Sequence, residues 1–310
     1  MYLKLDKITK RYENKTAVDG LSLDIPRGVI YGMIGPNGAG KTTTIRMIMN
    51  IIVPDSGTIL FDGREVDGSF RDRVGYLPEE RGLYKKMTLR EVITYLADLK
   101  GYPSKKTAAA IDPWLERMNL AEYVDQKVEE LSKGMAQKLQ FVTTVLHEPD
   151  IIILDEIFSG LDPINIELIK NVLLDLKREG RTILFSTHVM EQAEKLCDHI
   201  CMISQGQKVL DGTIGDVKAQ FGRNTVQIGF EGDGKFIRDL PGVREMTEFN
   251  NYVEVRLEDG TKPDSILKAA VDKLTISRFE VMEPSLYDIF IDTAKIDLAD
   301  LHAEVGGDHV

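Results

Sequence analysis

Eight consecutive residues, Gly35-Pro36-Asn37-Gly38-Ala39-Gly40-Lys41-Thr42, match the pattern G-x-x-x-x-G-K-[ST] and carry a specific chemistry. The glycines let successive backbone N–H groups turn inward as a nest for phosphate oxygens, and a helix starting there adds the positive end of its dipole. Lys41 is placed to reach the β- and γ-phosphates of a nucleotide, and the Thr42 hydroxyl to hold Mg²⁺. Thr43 offers a second hydroxyl to a phosphate. Such a loop needs a carboxylate for the metal from a neighbouring strand. The run Ile151-Ile152-Ile153-Leu154-Asp155 supplies one where an apolar strand leaves the core, and Glu156 follows at once. Asp155 suits the metal, directly or through water, and Glu156 suits polarising an attacking water. Adjacent strand residues point to opposite faces, so the strand end must splay if both acids are to serve one site.

The elements that must hold these residues are visible around them. Residues 29–34, VIYGMI, are a continuous apolar run, as expected of a strand covered on both faces, and they lead straight into the glycine loop and a helix. Strand-like runs at 150–155 and 181–188 flank a helix-period segment, INIELIKNVLLDLKREG; that order implies a right-handed crossover and a parallel sheet. Residues 2–8 and 21–25 alternate like half-buried strands, and TILFDG at 58–63 reads as a strand and turn. Between 86 and 146 apolar residues recur at helical spacing. After residue 222 the texture changes: VQIGF, VREMTEF and YVEVRLEDG predict a meander of short hairpins, followed by a helix at PDSILKAAVDKL, a strand at ISRFEVME and a helix at SLYDIFIDTAK. The expected organisation is an α/β domain over 1–222 with a helical subdomain at about 86–146, a small α+β domain over 223–296, and a frayed tail at 297–310.

Composition bounds the function. A chain of 310 residues holds about two domains at roughly 150 residues each. With 43% hydrophobic and 29% charged residues it belongs with soluble globular proteins. The net charge is −11, and residues 223–310 carry 10 basic against 18 acidic side chains, so neither part has the basic excess of a free nucleic-acid binder. No run of about 18 uncharged apolar residues is present to span a bilayer. The opening residues alternate polar and apolar from the start, which leaves no room for a signal-peptide core. Two cysteines, Cys197 and Cys201, form no disulfide framework and fit a reducing cytoplasm. With His199 between them they are too few for a closed zinc site, and HICMIS reads as a buried strand.

Three further segments carry a family resemblance. Leu131-Ser132-Lys133-Gly134-Met135 resembles the LSGGQ signature of ATP-binding cassette (ABC) ATPases and ends 20 residues before Asp155. Ser159-Gly160-Leu161-Asp162 resembles the D-loop, and His188 the switch histidine. Residues 1–220 resemble the whole cassette in order. The resemblance implies a P-loop NTPase fold, with a RecA-like parallel sheet, an antiparallel β subdomain and a helical subdomain. It implies ATP and Mg²⁺ as cofactors, Tyr12 stacked on adenine, and Lys41, Glu156 and His188 as catalytic residues. It also places Glu79 at the Q-loop position, where with Thr42 and Asp155 it would serve the metal. Members pair head to tail, each signature closing over the partner's phosphate loop, so a homodimer or heterodimer of cassettes is implied. The chain departs from the family at Lys133, Met135, Glu79 and Ile157, where glycine, glutamine, glutamine and proline are usual.

The segment LPEERGLY (77–84), the signature LSKG and the terminal EPSLYDIF look like the branch that energises export-type permeases, including those resembling sodium-efflux systems. The resemblance therefore implies a cytoplasmic ATPase subunit, peripheral on the inner face of the cell membrane, that works with integral membrane permease subunits and binds no nucleic acid. The competing expectation is an ABC ATPase acting on the ribosome or DNA. Translation-type members carry two cassettes and basic linkers, and DNA-repair members insert a long coiled coil. Here one cassette is present, and the 114 positions from Lys41 to Asp155 hold only an ordinary helical subdomain.

Overall fold

The computed structural model describes residues 2–13, 15–80, 82–221, 225–258 and 260–293. Their contacts divide the chain into two units, Met1–Thr213 and Ile214–Val310. The boundary expected at 222–223 and the tail at 297–310 lie outside the described residues.

The first unit opens with β1 (Leu3–Tyr12) and β2 (Lys15–Ile25), an antiparallel hairpin longer than alternation alone predicts. Register shifts after Leu5, Ile8 and Lys10, with left-handed backbone at Lys7 (φ 49°) and Gly20 (φ 61°), break the two-residue period across residues 9–20. β3 (Ile30–Ile34) is buried along its whole length and leads through the glycine loop into α1 (Lys41–Ile48). β4 (Ser56–Phe61) and β5 (Arg64–Glu65) complete a four-stranded sheet in the order β2-β1-β4-β5. The short α2 (Phe70–Arg73) precedes β6 (Val74–Leu77). Three helices then follow: α3 (Leu89–Leu99), α4 (Ser104–Arg117) and α5 (Lys133–Val145). The chain returns through β7 (Ile151–Asp155), α6 (Pro163–Arg178), β8 (Thr182–Thr187), α7 (Met190–Leu196), β9 (His199–Ser204) and β10 (Gln207–Thr213).

The second sheet has the order β10-β9-β3-β8-β7-β6. Its strands β6, β7, β8, β3 and β9 are parallel, and β10 closes one edge antiparallel to β9. β7 and β8 are buried throughout, so their apolar runs show no alternation, as a sheet covered on both faces requires. Ile151, Ile153, Leu184, Met33 and Cys201 join the core shared with Leu3, Leu5, Leu21 and Leu23 of the first sheet. The helix at 190–196, too short for a clear period, and β10 were not foreseen from the sequence.

Side-chain caps fix where α3 and α5 begin. Thr88 and Glu91 form a reciprocal capping box at the start of α3, and Ser132 accepts the Met135 N–H at the start of α5. α3 and α5 are joined to β6 at one point. Lys100, just past α3, donates to the Arg71 carbonyl at 2.6 Å and the Val74 carbonyl at 3.1 Å. His147, just past α5, lies 3.3 Å from the same Val74 carbonyl through Nε2. A carbonyl only accepts, so Nε2 carries the proton, and the buried Nδ1 is left without a partner among the described residues.

In the second unit, α8 (Ile214–Gln220) precedes β11 (Thr225–Glu231), β12 (Val243–Glu248), β13 (Val253–Leu257), α9 (Pro263–Val271), β14 (Thr275–Met282) and a helix α10 over 286–293. The sheet order is β12-β13-β11-β14, not the meander expected from the turns. Val226, Gln227 and Ile228 are all buried, so β11 is covered on both faces and takes a central place between β13 and β14. An ion pair between Arg256 and Asp292 ties α10 to β13.

Burial, reinforced by the Lys100 charge, pushes the His147 imidazole down from its ordinary value to about 4. The unfolded chain takes up a proton near pH 6.5 that the fold refuses until about pH 4, so stability is lost as pH falls through that window. The expected loss attributable to this residue between pH 7 and pH 5 is about 2 kcal/mol. His147→Gln keeps a donor for Val74 and should flatten that slope; urea unfolding at the two pH values, with equal slopes for both proteins, would refute it.

Candidate active site

β3 delivers the chain to a loop that only glycine can build. A Cβ on Gly35 (φ 151°) would lie 2.1 Å from the Ile203 carbonyl oxygen, and one on Gly40 (φ 108°) would lie 2.3 Å from that of Ala17. The loop is thus wedged between β9 and β2. α1 begins at Lys41 with no side-chain cap and no acid in its first turn, so its N–H groups and the positive end of its dipole face the loop. Lys41 is 5% exposed and folds back, donating to the Gly35 carbonyl at 2.8 Å and the Pro36 carbonyl at 3.1 Å. Thr42 and Thr43 are half-buried beside it.

The acids arrive from β7. Register places Asp155 directly opposite Ser186 of β8, whose hydroxyl donates to Asp155 Oδ1. The splay expected at the strand end is achieved by a single residue: Glu156 adopts left-handed backbone, φ 52°. Its N–H donates to the Ser186 carbonyl at 3.3 Å and to the Ser186 hydroxyl at 3.1 Å, which holds the turned residue in place. The Glu156 carboxylate then lies between two cations or potential cations. Oε1 is 3.5 Å from Lys41 Nζ, and Oε2 is 3.0 Å from His188 Nδ1. The carboxylate accepts, so Nδ1 carries the proton and Nε2 is left for a reacting group. Two buried oxygens, Asp155 Oδ2 and Glu156 Oε1, have no hydrogen-bond partner among the described residues.

Chemically this is a cradle for phosphate beside a buried carboxylate that could orient a water. The orphaned Asp155 oxygen and the Thr42 hydroxyl are the hard oxygen donors a divalent ion of Mg²⁺ type takes. Among the described residues no three of His, Cys, Asp and Glu converge to hold a metal by themselves. An ion here therefore needs oxygens from the phosphate as well.

The remaining expected residues fall into three places. Tyr12 ends β1, 48% exposed, directly opposite Lys15, and Lys15 donates to the Gly38 carbonyl at 3.3 Å. Leu131 and the cap Ser132 lead into α5, and a Cβ on Gly134 would lie 3.6 Å from Leu161 and 3.7 Å from Asn165, so the signature segment Leu131 to Met135 adjoins the Ser159–Asp162 loop. Asp162 caps α6 through the Asn165 N–H at 3.0 Å, a bond that holds its carboxyl below the usual range. Glu79 is exposed two residues past β6, with no hydrogen bond or ion pair to another described residue.

Two residues of the site were not found from the sequence. Ser186 is revealed only by strand register. Gln137 is buried and donates to the carbonyl of Ile157, tying α5 to the residue after Glu156. Ser186→Ala should strand the Asp155 oxygen and cost about 1–3 kcal/mol, while Ser186→Thr keeps the hydroxyl and most of the stability. Urea unfolding checks this; equal midpoints for Ala and native protein would contradict it.

Comparison with known proteins places this geometry. Residues 18–159 match the ABC transporter family, and residues 212–294 match the C-terminal domain of ATP-binding protein DrrA1-3-like chains. The chain is 43% identical over 290 residues to the uncharacterized ABC transporter ATP-binding protein YhaQ of Bacillus subtilis, covering 94% of this chain and 97% of that one. It is 38% identical to Nod factor export ATP-binding protein I of Paraburkholderia xenovorans, over 80% and 83% of the two chains. A solved ATP-binding subunit of an ABC transporter superposes with a TM-score of 0.67 at 32% identity, over 72% of this chain and 94% of that one. These relatives favour a transporter over the ribosome or DNA alternative. With a cassette fold, an intact phosphate loop and relatives matched over nearly their full length, the chain belongs to the ATP-binding proteins of ABC transporters, the subunits that hydrolyse ATP to power transport.

Proposed function

We propose that this subunit powers export through separate integral membrane permease subunits, and that it does so as a pair of cassettes closing on two ATP molecules. The observation that carries the catalytic part is the Glu156 carboxylate held between Lys41 and His188 beside the glycine loop. The loop residues 35–43 bind the phosphates, with Lys41 exchanging its carbonyl partners for the β- and γ-phosphates. Thr42, Asp155 and Glu79 hold Mg²⁺, which when bound offsets charge on the phosphates. Glu156 orients the attacking water, and His188, fixed by Glu156 through Nδ1, presents Nε2 toward the γ-phosphate. Tyr12 stacks on adenine.

The signature acts on the partner's nucleotide. Leu131 to Met135 sit at an N-capped helix start, which presents backbone donors to an anion. The loop Ser159 to Asp162 adjoins it and would report closure to the site that contains Glu156. Lys133 adds a charge suited to a γ-phosphate. Residues 1–222 form the working cassette, and 223–296 form a small domain suited by its acidity to regulation or dimer stabilisation.

Docking on the permease is supported by a groove of about 470 Å³ beside β6 and the ends of α3 and α5. Met49, Ile51, Leu83, Leu96 and Leu99 make it largely apolar, with Ile51 and Leu99 more than half exposed. No helix among the described residues is long and apolar enough to cross a membrane, so the groove suits a cytoplasmic helix offered by another subunit. That placement puts the protein peripherally on the inner face of the cell membrane. The name of the Nod factor relative supports export as the direction.

Glu156→Gln should keep ATP binding while slowing phosphate release by about 10²–10⁴-fold, the usual worth of a positioned base. The same variant should accumulate as an ATP-bound dimer on gel filtration. Hydrolysis at the native rate would remove Glu156 from the mechanism.

For Glu79, magnesium titrations of ATPase activity at fixed ATP are decisive. Glu79→Gln should weaken the apparent Mg²⁺ requirement modestly, and Glu79→Ala should impair both metal response and turnover. An Ala curve overlaying the native one returns Glu79 to the solvated surface.

A further inference from the structure

We infer that Lys15 is a nucleotide-binding residue, placed to pair with the α-phosphate between the adenine platform and the phosphate loop. The inference rests on the reading that residues 35–43 bind ATP. Lys15 opens β2 and is the cross-strand partner of Tyr12, so the two side chains belong to one short hairpin end. The Lys15 ammonium stands 3.3 Å from the Gly38 carbonyl oxygen, and a Cβ on Gly38 would lie 3.8 Å from it. Gly38 is the left-handed apex of the loop, φ 80°. The lysine thus bridges the residue expected under the base and the loop expected around the β- and γ-phosphates. The part of a nucleotide that spans those two places is the ribose and α-phosphate.

The chemistry of the two lysines differs accordingly. Lys41 is buried inside the loop and engages two carbonyls and Glu156. Lys15 is exposed and, of its three N–H donors, makes one long hydrogen bond among the described residues, to a neutral acceptor. A phosphate oxygen is a stronger acceptor than a carbonyl, and the four-carbon stem lets the ammonium move the short distance needed. Ala17, two residues on, packs against Gly40, so the strand carrying Lys15 is fixed against the loop even though the side chain is free to turn.

The test is equilibrium binding of ATP and ADP, each by calorimetry, to the full native chain, Lys15→Met and Lys15→Arg. Both nucleotides carry the α-phosphate. Lys15→Met should therefore weaken both by a similar factor, about 3- to 10-fold for a partly solvated charge-assisted bond. Its affinities should also depend less on salt than those of the native protein. Lys15→Arg should recover most of the affinity. Native affinities in Lys15→Met overturn the proposal, and so does a loss confined to ATP, which would move the contact to the γ-phosphate. A native chain that binds neither nucleotide would sink the site reading and this proposal with it. Unchanged binding by the variant, beside a native chain that binds, overturns the proposal alone.

Discussion

Glu156 carries a negative charge into the edge of a packed sheet, and the arrangement of the first unit answers the cost of placing it there. An isolated buried carboxylate is costly, whereas one flanked by an ammonium and an imidazole and anchored through its backbone is tolerated. Lys41 reaches it from α1, His188 from the end of β8, and Ser186 clamps its N–H from the neighbouring strand. Lys41 follows the loop after β3, while Ser186 and His188 lie in β8 and at its end, so two strands of the parallel sheet supply the partners of a residue carried by a third, β7. A slip of one residue between β7 and β8 would set Asp155 against a residue other than Ser186 and break the chain of bonds that turns Glu156 into the site.

The same sheet links the site to the groove where we propose that the permease docks. β6 runs parallel beside β7 and ends next to Glu79, while its start is bound by Lys100 and His147 at the Val74 carbonyl. The helices α3 and α5 are thus pinned to the strand adjoining the acids. Gln137 makes a second link from α5, to the residue after Glu156. A displacement of these helices by a docked partner would act on β6 and on the backbone carrying Glu156 through these hydrogen bonds. That is a physical route for coupling, made of hydrogen bonds between rigid elements.

The second unit follows a different logic. It has its own core, with Val226, Ile228, Val253, Val255 and Ile266 at its centre. Nothing in it resembles the phosphate loop or its acids. Its relatives' C-terminal domain matches from residue 212, which begins near the break in contacts after Thr213. The acid-rich surface and the Arg256–Asp292 pair belong to a unit whose contribution to transport is regulatory in our proposal.

Much of the site was determined by the sequence alone, because its requirements are local. Gly35, Gly38 and Gly40 hold backbone shapes or close approaches that other residues resist, so the loop is written in consecutive letters. The apolar runs of β3, β7 and β8 were legible for the same reason. Tertiary structure alone decided what depends on residues far apart. The meeting of Glu156 with His188 spans 32 positions, and that of Lys15 with Gly38 spans 23. Ser186 acquires its role only from the register of two strands, and β11 becomes central only when β13 and β14 both pair with it. Side-chain periodicity reports which face is buried. It does not report which neighbour buries it, and that choice is made by packing once the sheet has assembled.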